Sequence, residues 1–436
     1  KTDVLVVGAG PAGLMAALAL GRLGVKTTVI ERRECGAIYG NADGIQPGTL
    51  EVFASYGLVD HVLREGWPVV AYVLPQRQPQ APDISVKDAR YPFEVALPIQ
   101  KIEGTLRDAA AGSGVYVEQP YIPTNIAISR EKDDDHPVQV IVERPATSAK
   151  EPHKRVVRAK YLIGCDGSHS WIRDVMGICM IMLDEEAIRW AVMDCTPKTD
   201  FPDTMTKAVI STPVCGIIGL IPHRDGRVRL YVPLPPYLDV KKLSKEEFHA
   251  HVQATTEKAF FPYKFDVSIF SRLSYYKVVQ AVASSFSVEN RVFIAGDAAH
   301  THSAKAGQGA NASMRDCHNL AWKIAYVLRG WAKPDLLSTY DVERQAYAHD
   351  LIALDRNINN AIGKNRDDAK YTKGIGITYH SVLTSMVEPS ELAPSIIPGE
   401  RLAPATILRL SDWRQMDVQD LLVSDGTFKL ILMPGD

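Results

Sequence analysis

Two phrases of glycine and acid, placed far apart, carry most of the chemistry legible in this chain. Val4-Leu5-Val6-Val7-Gly8-Ala9-Gly10-Pro11-Ala12-Gly13 stands at the start, and Val292-Phe293-Ile294-Ala295-Gly296-Asp297 comes late. Gly8, Gly10 and Gly13 allow a tight turn, close backbone approach to a pyrophosphate and packing of helix on strand, and the helix start offers free N–H groups to phosphate. Glu31 follows about twenty residues on, the spacing of a ribose-binding acid. Arg32 and Arg33 beyond it are candidates for phosphate or adenine, or plain surface arginines. Asp297 is placed at the carboxyl end of a strand, where open α/β sheets hold ligands; it is read as the partner of a ribityl hydroxyl, or else as a cap of its own turn. Taken together, the two phrases predict one FAD held at its adenosine end by the N-terminus and at its ribityl chain by the distant strand. Ala304, Gly307, Gln308, Gly309, Ala310 and Asn311 form a glycine loop opening a helix, whose positive end suits the anionic N1–O2 edge of reduced flavin.

The elements that must position these residues follow from periodicity. A doubly buried strand at Val4 to Val7, a helix through Leu14, Leu18 and Arg22 ended by Gly24, and a strand from Val25 to Ile30 make a βαβ unit. Alternating runs at Ile122 to Ser129 and Val138 to Val142 predict a hairpin with the solvated acidic tip Glu131-Lys132-Asp133-Asp134-Asp135. Tyr161-Leu162-Ile163 is a third buried strand, ending in Gly164-Cys165-Asp166-Gly167. Between Ile178 and Ser287 short alternating segments broken by Pro and Gly predict a mostly antiparallel sheet. Helices from Gly309 to Arg329, closed by Gly330, and from Leu337 to Asp355 then return the chain to the flavin side.

Size and charge narrow the function classes. The chain has 436 residues, 46% apolar and 23% charged, enough for two or three domains. A formal charge of -2 gives no reason to expect nucleic acid or an anionic membrane as partner, and no apolar run is long enough to span a bilayer. The six scattered cysteines lack a Cys-x-x-Cys and read as reduced thiols in the cytoplasm. His300-Thr301-His302 has the spacing of a metal pair but no nearby third ligand, so no metal is expected. The chain starts at Lys1 without a methionine, as if a few residues had been trimmed.

The three motifs in this order, Gly8-x-Gly10-x-x-Gly13, Gly164-Cys165-Asp166-Gly167 and Gly296-Asp297 with Lys305-Ala306-Gly307-Gln308-Gly309, resemble the single-component FAD aromatic hydroxylases, in particular the phenol 2-monooxygenase group. Ala42-Asp43-Gly44-Ile45-Gln46-Pro47, Pro197-Lys198-Thr199-Asp200-Phe201-Pro202 and His300-Thr301-His302-Ser303 strengthen the resemblance, which covers nearly the whole chain. It implies a discontinuous α/β fold of the glutathione-reductase type. A Rossmann-like FAD-binding domain occupies 1–177 and 288–378, with an inserted sheet domain for substrate at 178–287 that also takes strands near 68–98. Residues 397–436 resemble the first part of a thioredoxin-like domain. The segment Ile362 to Tyr371 looks shorter than the family's, as if residues were missing there and after 436.

The resemblance also implies chemistry. NADPH reduces FAD, dioxygen adds as a flavin C4a-hydroperoxide, and the distal oxygen passes to an electron-rich ring. Asp166 and Gly167 are shared there between FAD and transiently bound NADPH, and Gln100 reaches the flavin chain. Ala42, Asp43 and Gly44 form the family's substrate phrase, in which Asp43 favours the phenolate over the less nucleophilic phenol; a plain turn aspartate is the alternative. Tyr231 resembles the tyrosine near phenol and flavin, or is a core tyrosine. His223 stands after Pro222 where an arginine is usual, and Ala304 replaces a proline. These departures imply a phenolic larger than phenol, such as a secondary metabolite, with hydroxylation, dearomatisation or ring expansion as outcomes, and the family often forms homodimers. A flavin halogenase would want a Trp-x-Trp, absent here; a non-catalytic FAD-binding module is the rival from another class.

Overall fold

The computed structural model describes residues 1–34, 40, 42–70, 72–73, 88–131, 133–146, 151–183, 188–212, 215–303, 307–361, 370–380 and 397–432. Strand β1 (Thr2–Val7) leads into helix α1 (Pro11–Arg22), whose first position is a proline, and then β2 (Thr27–Ile30). Proline suits a helix start because its missing N–H has no intrahelical partner there. Helix α2 (Ile99–Gly112), strand β3 (Val117–Glu118) and a hairpin of β4 (Ile122–Ile128) and β5 (Val138–Arg144) precede the long β6 (His153–Gly164). The hairpin is where periodicity puts it. Its acidic tip is not merely solvated, however, because Arg158 of β6 donates to Asp134 at 2.7 Å.

The inserted sheet contains β7 (Ile188–Cys195), β8 (Lys207–Thr212), β9 (Gly216–Pro222) and β10 (Val228–Pro233). Helix α3 (Lys245–Phe260) then packs its buried Phe248, Val252 and Phe260 in one apolar cluster with Ile210, Leu220 and Leu230 of the sheet, and β11 (Phe270–Val278) completes the sheet. Helix α3 is absent from the strand-dominated reading of this region, although Ser244 and Glu247 form the reciprocal cap that marks a helix start. Within this sheet the order is β11-β7-β10-β9-β8, all antiparallel, and Tyr72–Val73 adds in parallel beside β8.

Strand β12 (Val292–Ile294) returns to the first sheet, followed by α4 (Gly309–Leu328) and α5 (Thr339–Ala361). The parallel core has the order β12-β6-β1-β2-β3. Val4, Leu5 and Val6 of β1 are fully buried, as are Leu162 and Ile163 of β6, because helices cover the sheet. Helix α5 begins at Thr339, after a short 3-10 turn over Pro334–Ser338, rather than at Leu337. Residues 397–432 contribute a two-stranded ladder, Thr406–Arg409 with Arg414–Asp417, and dock through Tyr326 Oη, which donates to the Gly426 carbonyl at 2.9 Å.

Candidate active site

The glycine turn sits where β1, α1 and β6 meet, Cys165 N–H bonding to the Val7 carbonyl at 2.7 Å. A Cβ at Gly13 would lie 1.9 Å from the Gly8 carbonyl oxygen, so only glycine lets α1 lie this close to the turn. A Cβ at Gly10 would meet nothing within 4 Å, which leaves an open cradle over the first turn of α1. Pro11 and Ala12 continue that turn.

Glu31 closes the far side. Its Oε2 accepts from Ala9 N–H at 2.7 Å and its Oε1 from Arg33 N and Nε, both at 2.9 Å. Burial opposes its ionisation, but these hydrogen bonds prevail and hold its carboxyl below the usual range. Arg33 is thus engaged with Glu31, and Arg32 is exposed. Asp166 spends its oxygens on Ser170 Oγ at 2.5 Å and Ile172 N–H at 3.0 Å, fixing the short helix Trp171–Val175, with Gly167 beside it at a positive φ of 88°.

The late Gly296-Asp297 turn is brought to the same place. A Cβ on Gly296 would lie 3.2 Å from that of Ala12 in α1. Gly296 N–H donates to Asp316 Oδ2 at 2.9 Å, and that carboxylate also accepts from His300 Nε2 at 2.8 Å and, through Oδ1, from Arg344 Nε at 2.7 Å. Burial opposes the charge on Asp316, yet Arg344 and His300 draw its pKa down to about 2. Histidine 300 is thereby a support for the turn; among the described residues no group of three metal-ligating side chains converges. Asp297 is exposed to solvent, with protein close enough around it that desolvation raises its carboxyl pKa.

Two residues named for the cofactor make side-chain hydrogen bonds inside the protein. Asn311 accepts from Gln46 N–H at 3.0 Å and donates to the carbonyls of Gly44 and Gly307, both at 2.8 Å, tying the start of α4 to the Asp43 loop. Gln308 is fully buried and donates to the Thr372 carbonyl. Gly307, Gly309 and Ala310 leave partly exposed backbone at the mouth of α4. Gln100, near the start of α2, holds a buried Oε1 with no partner. Ala304 lies outside the described residues.

Asp43 is the hub of a second cluster. Its backbone is fixed by Leu97 N–H, which donates to the Asp43 carbonyl at 2.9 Å, and the neighbouring strand Gly44–Ile45 pairs with Glu94–Ala96. Tyr231 Oη donates to Asp43 Oδ1 at 3.1 Å, and His223 Nε2 lies 3.2 Å from Oδ2. Arg229, two positions before Tyr231 on the same face of β10, places Nε 3.5 Å from Asp43 Oδ2 and clasps Asp194 of β7 at 2.6 and 2.8 Å. Its Nη1 donates to the Ala42 carbonyl at 3.2 Å. Asp43 is 3% exposed, His223 3% and Arg229 0%, so the Asp43 carboxylate and the Arg229 guanidinium depend on each other rather than on water. Burial lowers the Arg229 pKa, but Asp43 and Asp194 outweigh it and hold the guanidinium charged; burial and the Asp43 charge push the Tyr231 phenol well above its ordinary value. Arg229 and Asp194 went unassigned in the sequence; the only signal was a charge inside the apolar run Val228 to Val232.

The family model described as FAD binding domain matches residues 1–355, and that of the phenol hydroxylase C-terminal dimerisation domain matches 377–436. The chain is 32% identical over 459 residues to phenol 2-monooxygenase fsqG of Aspergillus fumigatus, covering 100% of this chain and 76% of that protein. It is 32% identical over 479 residues to 3-hydroxybenzoate 4-monooxygenase of Comamonas testosteroni, covering 100% and 74%. The chain belongs to the single-component FAD-dependent aromatic hydroxylases. Among solved structures, OxyS anhydrotetracycline hydroxylase from Streptomyces rimosus superposes with a TM-score of 0.75 at 23% identity, over 97% of this chain and 84% of that one, and shows the same fold.

As a member of that family the hydroxylase is an FAD-dependent monooxygenase of aromatic substrates. The residues present fit the cofactor. Open space stands over Gly10, where a Cβ would meet no protein atom, the Gln100 Oε1 is buried without a partner, and the Asp297 side chain is exposed beside the glycine turn. No helix among the described residues is long and apolar enough to cross a membrane.

Proposed function

We propose that this hydroxylase uses NADPH and O2 to oxidise a phenolic ring, with Asp43 as the group that takes up the phenol proton. The observation that carries this reading is a buried carboxylate held by three polar side chains, Tyr231, His223 and Arg229. When bound, FAD supplies the redox step, accepting electrons from NADPH and delivering one oxygen atom of O2 to the ring.

The chain's own residues do the rest. Gly8, Gly10, Pro11, Ala12 and Gly13 hold the pyrophosphate on α1, with Glu31, Arg32 and Arg33 at the adenosine. Asp297 and Gln100 hold the ribityl chain. Gly307, Gly309 and Ala310 present the positive end of α4 to the flavin ring, a site supported by the open backbone there. Asp166 and Gly167 stand where NADPH passes.

At the substrate, Asp43 accepts the hydroxyl proton and leaves the more nucleophilic phenolate. Tyr231 and Arg229 orient the carboxylate toward the ring. His223 carries a buried Nδ1 with no partner, available to a second polar group on the ring. That supports a substituted phenolic over phenol itself. A homodimer and a cytoplasmic setting complete the reading, supported by the dimerisation-domain match and five cysteines unpaired in disulfides among the described residues.

NADPH oxidation by the FAD-loaded protein, with and without a panel of phenols, tests it. Stimulation by a phenol with matching hydroxylated product is expected; turnover indifferent to every phenol would argue for an FAD-binding module instead.

A further inference from the structure

A second acid stands beside Glu31. Glu103, in the second turn of α2, is 3% exposed, and its Oε2 is buried without a hydrogen-bond partner. A buried carboxyl oxygen left unpaired is costly, so its presence calls for a ligand group. Its electrostatic neighbours are Arg33 and Glu31, the pair that closes the glycine turn, and Arg107 one turn further along α2. Glu31 is already committed as a carboxylate to Ala9 N–H and Arg33, and Arg107 donates to Gln119 Oε1 at 3.3 Å. Other charges on packed elements are taken: Arg22 of α1 donates to the Tyr56 carbonyl, and Glu65 of the helix Val59–Glu65 pairs with Lys101.

We propose that Glu103 is a second acid of the adenosine pocket, standing beside the Glu31 carboxylate and hydrogen-bonded through its unpaired carboxyl oxygen to the adenosine of FAD. The proposal rests on the FAD site described above. A neutral carboxyl can donate to an acceptor on adenine or ribose, which Glu31 cannot. Ionised, Glu103 would lose that bond and set a second negative charge beside Glu31 and near the pyrophosphate. Burial, reinforced by Glu31 and opposed by Arg33 and Arg107, raises the Glu103 pKa to about 7. FAD should therefore bind more weakly as pH rises through neutrality.

The test is FAD affinity of the apoprotein, read by quenching of flavin fluorescence from pH 6 to 8.5. For the unaltered protein the dissociation constant should rise about tenfold across this range, corresponding to roughly 1.4 kcal/mol. Glu103→Gln, which keeps a neutral polar group, should bind at both ends as the unaltered protein does at pH 6. A flat or opposite profile for the unaltered protein, or the same slope retained in Glu103→Gln, would overturn the proposal. The profile of the unaltered protein needs no substitution, so misfolding of the variant cannot mask the answer. Absence of FAD binding at every pH would instead indict the cofactor site itself.

Discussion

Tyr231 donates its hydroxyl to Asp43 Oδ1 at 3.1 Å, while the other oxygen of the same carboxylate lies 3.2 Å from His223 Nε2. The tyrosine comes from the inserted sheet and the aspartate from the loop after β2, so this bond, with those of His223 and Arg229, ties the loop to the sheet. Removing the hydroxyl by Tyr231→Phe deprives an ionised acceptor of a hydrogen bond worth about 1.5–3 kcal/mol. Hydroxylation should slow by roughly 10- to 100-fold, with kcat falling more than KM rises, as steady-state kinetics would show.

Asp43→Asn keeps the shape of the side chain and removes the base. Turnover should drop about 10²- to 10⁴-fold, the usual range for a general base, with the flavin absorbance of the purified protein unchanged. The loss should be smallest for phenols acidic enough to be ionised already. Unchanged turnover would remove Asp43 from the mechanism.

Arg229 neutralises two buried carboxylates, Asp194 and Asp43. Arg229→Met leaves both uncompensated and should cost on the order of 3–5 kcal/mol, seen as a large fall in melting temperature. Adding Asp194→Asn should restore part of that stability without restoring turnover.

Gly10 and Gly13 separate cofactor from fold. Gly13→Ala brings a Cβ into the Gly8 carbonyl and should destabilise the protein even without FAD, whereas Gly10→Ala meets no protein atom and should leave the apoprotein melt intact while weakening FAD binding. Equal effects of both on the apoprotein melt would contradict the cradle.

Asp316 has its pKa depressed from 3.8 to about 2 in the folded state, against burial, by Arg344 and His300. A depressed acid stabilises the fold above its unfolded pKa and loses that contribution as pH falls through its folded one. The expected loss is on the order of 2 kcal/mol between roughly pH 4.5 and 2. Glu94, held by Lys207 and Lys373 against burial to about 2, adds in the same window. Acid titration of stability should be less steep in Asp316→Asn.

Local periodicity was enough for the parallel core, because strands such as Val4 to Val7 are buried on both faces and read as unbroken apolar runs. Asp43 and Tyr231 stood out through their phrases, and the fold brings the two side chains within 3.1 Å of each other. Arg229 did not stand out, because a buried arginine and a surface one look alike until its cross-strand partner Asp194 is known. Glu103 was hidden similarly, on the covered face of a helix that also carries the exposed Lys101 and Asp108. The side-chain partners of Asn311 and Gln308 were not legible either: they stand beside a glycine loop in the sequence, and only the fold brings Gly44 and Thr372 within their reach. Helix α3 carried a capping box that was outweighed by the strands around it.

The most direct test follows oxygen. The FAD-loaded protein, given NADPH, isotopically labelled dioxygen and a panel of phenols, should yield a product carrying one labelled atom on the ring, and Asp43→Asn should lose that product while still holding FAD. A product whose new oxygen comes from water, or labelled product formed equally well without Asp43, would contradict the account.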